Sequence, residues 1–233
     1  MPVTREICLT IGGRPVTVPI RRDRRARRIT IHIDASIGGA KIVMPTYAAL
    51  AEAKAAVREH EQWLLDRLSS LPPRIVFADG SVIPYRGVNH RIRHVPGVRG
   101  VVECVNGEIR VFGRAEHLSR RVTDWLKAEA RRAISPLCIG KAARIGRRVR
   151  RVAVRSQRSR WGSCGANGHL SFNWRLILAP EAVLDYVVAH EVAHLQEMNH
   201  SPAFWRVVQR LTPHMERSRE WLNRKGQQLY RYG

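Results

Sequence analysis

His190-Glu191-Val192-Ala193-His194-Leu195-Gln196-Glu197-Met198-Asn199-His200 is the stretch from which the rest of the chain is read. It has the form H-E-x-x-H, with a third histidine six residues after the second. A helix turns about 100° per residue, so residues four apart lie about 40° apart around the axis and about 6 Å along it. His190 and His194 therefore project from one face toward a common point, a spacing suited to two imidazole nitrogens on one Zn²⁺. Glu191 follows the first histidine directly, where its carboxylate can reach a water held at that point. A chain of this composition would carry roughly 0.03 such motifs by chance, which favours a metal site over a surface coincidence. The preceding Leu184-Asp185-Tyr186-Val187-Val188-Ala189 is almost entirely apolar. It predicts a buried helix, in which an unsatisfied imidazole pair would be costly.

A catalytic zinc takes three protein ligands and keeps one position open. His200 is the first candidate for the third ligand; Glu216, Glu220 and His214 are the alternatives downstream. After His194 the chain must turn for His200 to face back. Metzincins place a glycine at that turn, but this chain has Glu197 there. Asn199 is therefore expected to make the turn in the left-handed conformation. Ser201-Pro202 reads as the cap and first residue of a new helix, with Phe204, Trp205, Val208 and Leu211 inward.

The 233 residues, 44% of them apolar, suffice for one large domain or two small ones. No apolar run is long enough for a membrane-spanning helix, and the N-terminus lacks a secretory layout. Cys8, Cys104, Cys138 and Cys164 include no C-x-x-C pair, which argues against a disulfide scaffold and points to a cytoplasmic protein with reduced thiols. Cys164 reads as a packed thiol beside a glycine turn. The net charge is +22, from 41 Lys+Arg against 19 Asp+Glu. Arg21 to Arg28 forms one basic cluster; the other runs from Arg131 to Pro180 without an acid and includes Arg147, Arg148, Arg150, Arg151, Arg155, Arg158 and Arg160. Such a surface would attract nucleic acid, although arginine-rich composition alone gives the same pattern.

The pattern predicts an α+β protein in two parts. Residues 1–113 read as a β-rich region with one helix. Its strand segments are 7–11, 14–18, 28–34, 41–44, 81–85, 90–93, 101–103 and 108–111, with turns at Gly12-Gly13 and Gly38-Gly39 and a helix from Pro45 to Leu71 ended by Pro72-Pro73. Residues 114–233 read as a second domain: a long helix from Leu118 to Ile139, a strand at 149–155, a loop from Ser156 to Gly168 and a strand at 170–176. Pro180 then opens the motif helix. No internal repeat is visible.

Arg160-Trp161-Gly162-Ser163-Cys164, Leu170 to Arg175, Asp185 to Leu195, Asn199-His200-Ser201 and Phe204-Trp205 resemble the YgjP-like family, a group of zinc-dependent hydrolases of zincin type similar to the WLM and SprT-like proteases. Lys41 to Pro45, Trp63 and Ile83 to Gly87 also fit it. The resemblance implies the metal triad His190, His194 and His200, with Glu191 as the catalytic carboxylate. It also implies a zincin-like domain with the active-site helix packed under a short sheet. By analogy with zincins, Leu170 to Arg175, including Asn173, would form a sheet edge able to hold an extended peptide. Tyr186, Arg155 and Arg160 are candidates to meet the substrate's developing charge. The substrate is a peptide or a nucleotide: WLM and SprT-type relatives cleave proteins, some trapped on DNA, and a nucleoside triphosphate pyrophosphohydrolase activity has been proposed within the group. A nucleic-acid-binding protein with a structural metal is the further alternative, and would need a fourth protein ligand.

Overall fold

The computed structural model describes residues 4–11, 13–34, 39–69, 73–97, 100–157 and 160–233. Gly12, Gly38, Leu71, Pro72 and Arg158, to which turns, a helix stop and a basic cluster are assigned above, lie outside them.

Alternating apolar residues build the first sheet. Strands β1 (Thr4–Ile11) and β2 (Arg14–Arg22) form an antiparallel hairpin. Strands β3 (Thr30–Asp34) and β4 (Gly39–Met44) form a second, and β4 returns to pair in parallel with β2. The order is β1-β2-β4-β3. Ala40, Ile42 and Met44 alternate inward from β4, as period-two patterning requires. The segment read as one helix is two, α1 (Leu50–Glu59) and α2 (Glu61–Ser69), interrupted at His60. Ala53, Val57 and Leu64 are the residues it buries against the sheet residues, whereas Trp63 is largely exposed.

A second sheet repeats this plan. Strands β5 (Val82–Tyr85), β6 (Val88–Val95), β7 (Val102–Val105) and β8 (Glu108–Phe112) take the order β5-β6-β8-β7. Again the outer pairs are antiparallel and the central pair parallel. Each sheet is followed by helix, so the chain carries a repeated topology without a repeated sequence. Helix α3 (Leu118–Arg144) buries Val122, Leu126, Ala130, Ile134 and Cys138 at four-residue spacing. It continues past Ile139 and through Pro136, one turn beyond the expected stop.

The compact units are residues 1–74 and 75–233, so the boundary expected at 113 is corrected to 74. The second sheet shares its core with α3 and the motif helix: Ile83, Ile92, Ile109 and Val111 belong to one buried cluster with Val122, Leu126 and Val188. The β5–β6 turn also docks there. Arg86 and Gly87, both at positive φ, donate backbone hydrogen bonds to the carbonyls of Ile177 and Leu178. A Cβ at Gly87 would lie 2.9 Å from the Pro180 backbone, so this approach needs glycine.

The third sheet lies in the same unit. Strands β9 (Arg151–Arg155), β10 (Gly162–Cys164) and β11 (His169–Asn173) have the order β10-β11-β9. A 3₁₀ turn over Trp174–Leu178 leads to the motif helix α4 (Glu181–Ala193). Val183, Leu184, Val187, Val188, Val192 and Ala193 are all buried, as expected of a helix apolar on every side. Lys141 of α3 ties it down, 2.7 Å from Asp185 of α4 and donating to the Leu211 carbonyl. Helices α5 (Pro202–Leu211) and α6 (Met215–Trp221) follow. Ser218 of α6 donates a hydrogen bond to the Ala182 carbonyl.

Candidate metal centre

Helical spacing brings His190 and His194 onto one face of α4 and its last turn, and the following turn returns His200 to them. One nitrogen from each of the three imidazoles lies within 4.8 Å of the others. The Nε2 atoms of His190 and His200 are 3.0 Å apart. Ligands of a tetrahedral zinc at bonding distance lie about 3.3 Å from one another, so the cluster has the dimensions of such a site. His194 Nδ1 donates to the Glu197 carbonyl at 3.0 Å when protonated, which leaves its Nε2 lone pair free. Burial, reinforced by His194 and His200, pulls the His190 imidazole down to about 4. Burial also lowers His194, against the opposing Glu197 hydrogen bond. Half-buried His190 and His194 and exposed His200, converging with one nitrogen each, are a donor set suited to a divalent cation.

The alternative third ligands stand apart. Glu220 pairs with Arg224 at 3.3 Å. Glu216 and His214 line a groove with Thr212 and Pro213. Among the described residues the metal-capable group holds no fourth His, Cys, Asp or Glu, so the structural-metal reading lacks the ligand it needs.

Asn199 does not take the left-handed conformation expected of it. The helix instead tightens as it ends: Leu195 and Gln196 bond three residues back, to the carbonyls of Val192 and Ala193. The Ser201 amide then bonds the Asn199 carbonyl at 2.8 Å. No glycine is required, which accounts for Glu197. Ser201 caps α5 as expected, its side chain accepting from the Phe204 amide. Phe204 packs beneath all three imidazoles, with ring centroids 4.5 to 4.9 Å away.

Glu191 is 7% exposed, and burial pushes its carboxyl up to about 7, with Arg160 pulling the other way. It lies against β10. A Cβ on Gly162 would sit 2.5 Å from both Cγ and Oε1 of Glu191. Any larger residue there would have to push the Glu191 side chain aside. The W-G-S-C sequence therefore reports a side-chain contact as well as a turn.

This corrects the substrate edge expected above. Strand β11 is the centre of its sheet, paired with β10 on one side and β9 on the other, so its backbone groups are spent. The edge beside Glu191 is β10, within the segment read as a loop. Asn173 is fully buried and engaged as a cap. It accepts from the Arg175 amide at 3.1 Å and donates to the Gln157 carbonyl at 2.8 Å, so it is corrected from a substrate contact to a structural residue. Arg155 is exposed at the end of β9, in register with Asn173. Arg160 is exposed and close enough to act on Glu191. The Tyr186 ring stacks edge-on to His190, 6.1 Å between centroids, and burial raises its hydroxyl pKa.

Sequence reasoning missed Arg219. From α6 its guanidinium lies 5.1 Å from the Trp205 ring centre and acts electrostatically on His190 and Tyr186. Nothing in its spacing signals this, because α6 reaches the site only through tertiary packing. Cys164 is pushed up to about 11 by burial and by Glu191, which leaves a thiol rather than a thiolate.

A family model described as YgjP-like, metallopeptidase domain, matches residues 27–225. The chain belongs to the YgjP-like metallopeptidase family. This YgjP-like protein is accordingly a metal-dependent hydrolase, and its histidine triad is a group able to hold the ion. No curated protein matches it. Among solved structures, the crystal structure of the metallopeptidase zymogen of Pyrococcus abyssi abylysin is 24% identical to it. That likeness covers 42% of this chain and 97% of the other, at a TM-score of 0.37, and no residue is carried across from it. No helix among the described residues is long and apolar enough to cross a membrane.

Proposed function

We propose that the protein is a zinc peptidase of the cytoplasm, with His190, His194 and His200 as ligands and Glu191 as general base. The observation that carries this reading is a buried carboxylate, seated on the glycine of an edge strand, beside three converging imidazoles. Three nitrogen donors suit zinc, which when bound supplies Lewis acidity and lowers the pKa of water toward about 7. Glu191, with its carboxyl raised to about 7, is matched to take a proton from water and return it to the leaving amine. The free edge of β10 supplies main-chain groups that an extended polypeptide can pair with. Tyr186 and Arg219 are the groups available to oppose negative charge developing on the substrate carbonyl. The four free cysteines accord with a reducing compartment.

Nucleoside triphosphate hydrolysis is the second reading. The exposed guanidiniums of Arg147, Arg148 and Arg150 beside His194 would attract a triphosphate as well as a carboxylate. The two separate when metal-loaded protein is offered an unstructured polypeptide and, in parallel, a panel of nucleoside triphosphates. Cleavage of the polypeptide with the triphosphates intact supports the peptidase; the reverse pattern overturns it.

A further inference from the structure

Beside the triad, on the His194 side, lies a depression of about 340 Å³. Arg147, Arg148 and Arg150, the turn Gly165–Gly168, and Leu195 and Met198 beside His194 line it. All three arginines are exposed. Among the described residues none of them is paired with a carboxylate, and the chain has no acid between 131 and 180 to supply one. Glu197, which sits between the lining residues Gln196 and Met198, lines a different depression with Arg206 and Arg210.

The character of the positive charge narrows what fits. A phosphate cradle is built from free backbone N–H groups at a glycine-rich turn. Here the amides of the turn's two glycines are occupied. Gly165 donates to the His169 carbonyl, Gly168 to that of Gly165 and Arg150 to that of Gly168, while the His169 amide donates to the Asn167 side chain. The attraction comes from long, solvent-exposed guanidiniums in a depression also lined by Leu195 and by Met198, which is 54% exposed. That combination suits a carboxylate carried on a short aliphatic stem.

We infer that this depression is a specificity subsite for an acidic side chain of the substrate, so that polypeptides with Asp or Glu near the cleaved bond are preferred. The inference rests on the peptidase reading above. Exposed pairs are individually weak, so three guanidiniums acting together predict a preference on the order of tenfold at low salt, diminishing as salt screens it.

The test compares peptides that differ only by Glu or Gln at successive positions around the cleaved bond. Each is offered to the metal-loaded wild type and to the chain carrying Arg147→Gln, Arg148→Gln and Arg150→Gln. At one position the wild type should favour Glu about tenfold in kcat/KM, and the ratio should fall to near one in the variant. Equal rates for Glu and Gln at every position, or a ratio unchanged in the variant, overturn the subsite. If the wild type cleaves neither peptide, the peptidase reading fails on its own. The subsite is then judged by binding of the fluorescent Glu and Gln peptides to the Glu191→Gln chain. Tighter binding of the Glu peptide, dependent on the three arginines, supports it; equal binding, or displacement by nucleoside triphosphate at far lower concentration than by acidic peptide, overturns it.

Discussion

Gly162 and Glu191 form a contact in which one residue dictates the other. With a Cβ only 2.5 Å from the carboxylate, Gly162→Ala must displace Glu191. The histidines are left in place, so metal content should be retained while peptide cleavage falls by about 10² to 10⁴, the range general-base catalysis supplies. Metal analysis and steady-state rates on one preparation check this. The same burial fixes how stability depends on pH in the metal-free protein. Glu191 has its folded pKa raised from 4.5 to about 7. Its stabilising contribution is therefore present below 4.5 and is lost as pH rises to about 7. His190 is lowered from 6.5 to about 4, and its contribution is present above 6.5 and lost as pH falls toward 4. Between 4.5 and 6.5 the two oppose each other. Relative to wild type, Glu191→Gln should become progressively more stable as pH rises from 4.5 to 7. His190→Gln should become progressively more stable as pH falls from 6.5 to 4. Denaturant midpoints of metal-free protein across this range read both slopes, and parallel curves for the three proteins would refute the burial argument. At this scale the positions of His190, His194 and Glu191 are legible, because helical spacing fixes their direction. Asn173 misled: a polar residue ending a strand caps the next turn more often than it meets a substrate.

Secondary-structure elements account for what the sequence concealed. Strand β10 consists of Gly162, Ser163 and Cys164, residues with little β-propensity, and is held as a strand only by pairing with β11. The apolar alternation of Leu170 and Phe172 signals burial, which an edge and a central strand share, so the pattern does not separate β11 from an edge. The return of His200 was legible in outcome but not in means, because the Asn199 turn is made by tightened helix bonds instead of a left-handed residue. His200 immediately precedes the Ser201 cap of α5, so the cap and the ligand are coupled. Ser201→Ala should cost about 1 kcal/mol of stability, near 2 to 4 °C in Tm for a chain of this size. Metal affinity should weaken by up to about fivefold if that cost is felt at His200. Calorimetry and competitive metal titration measure the two. Unchanged affinity with a lowered Tm would show that α5 holds His200 without its cap.

Two units, each with its own core and each opening with the same four-stranded topology, make up the molecule. The boundary at 74 was not legible because residues 75–112 share strand patterning with what precedes them. What assigns them to the second unit is long-range packing on α3 and the Arg86-Gly87 turn against Pro180. The triad, Glu191, β10 and the arginine-lined depression all belong to that unit. A fragment of residues 75–233 should therefore bind one metal ion with wild-type affinity. A fragment that is folded but binds no metal would contradict this assignment. The account depends most on Glu191 acting on substrate without holding the metal. The decisive measurement is metal content together with polypeptide cleavage for Glu191→Gln. The account predicts one metal ion per chain and cleavage reduced by about 10² to 10⁴. Wild-type cleavage with the metal bound, or loss of the metal itself, would contradict it.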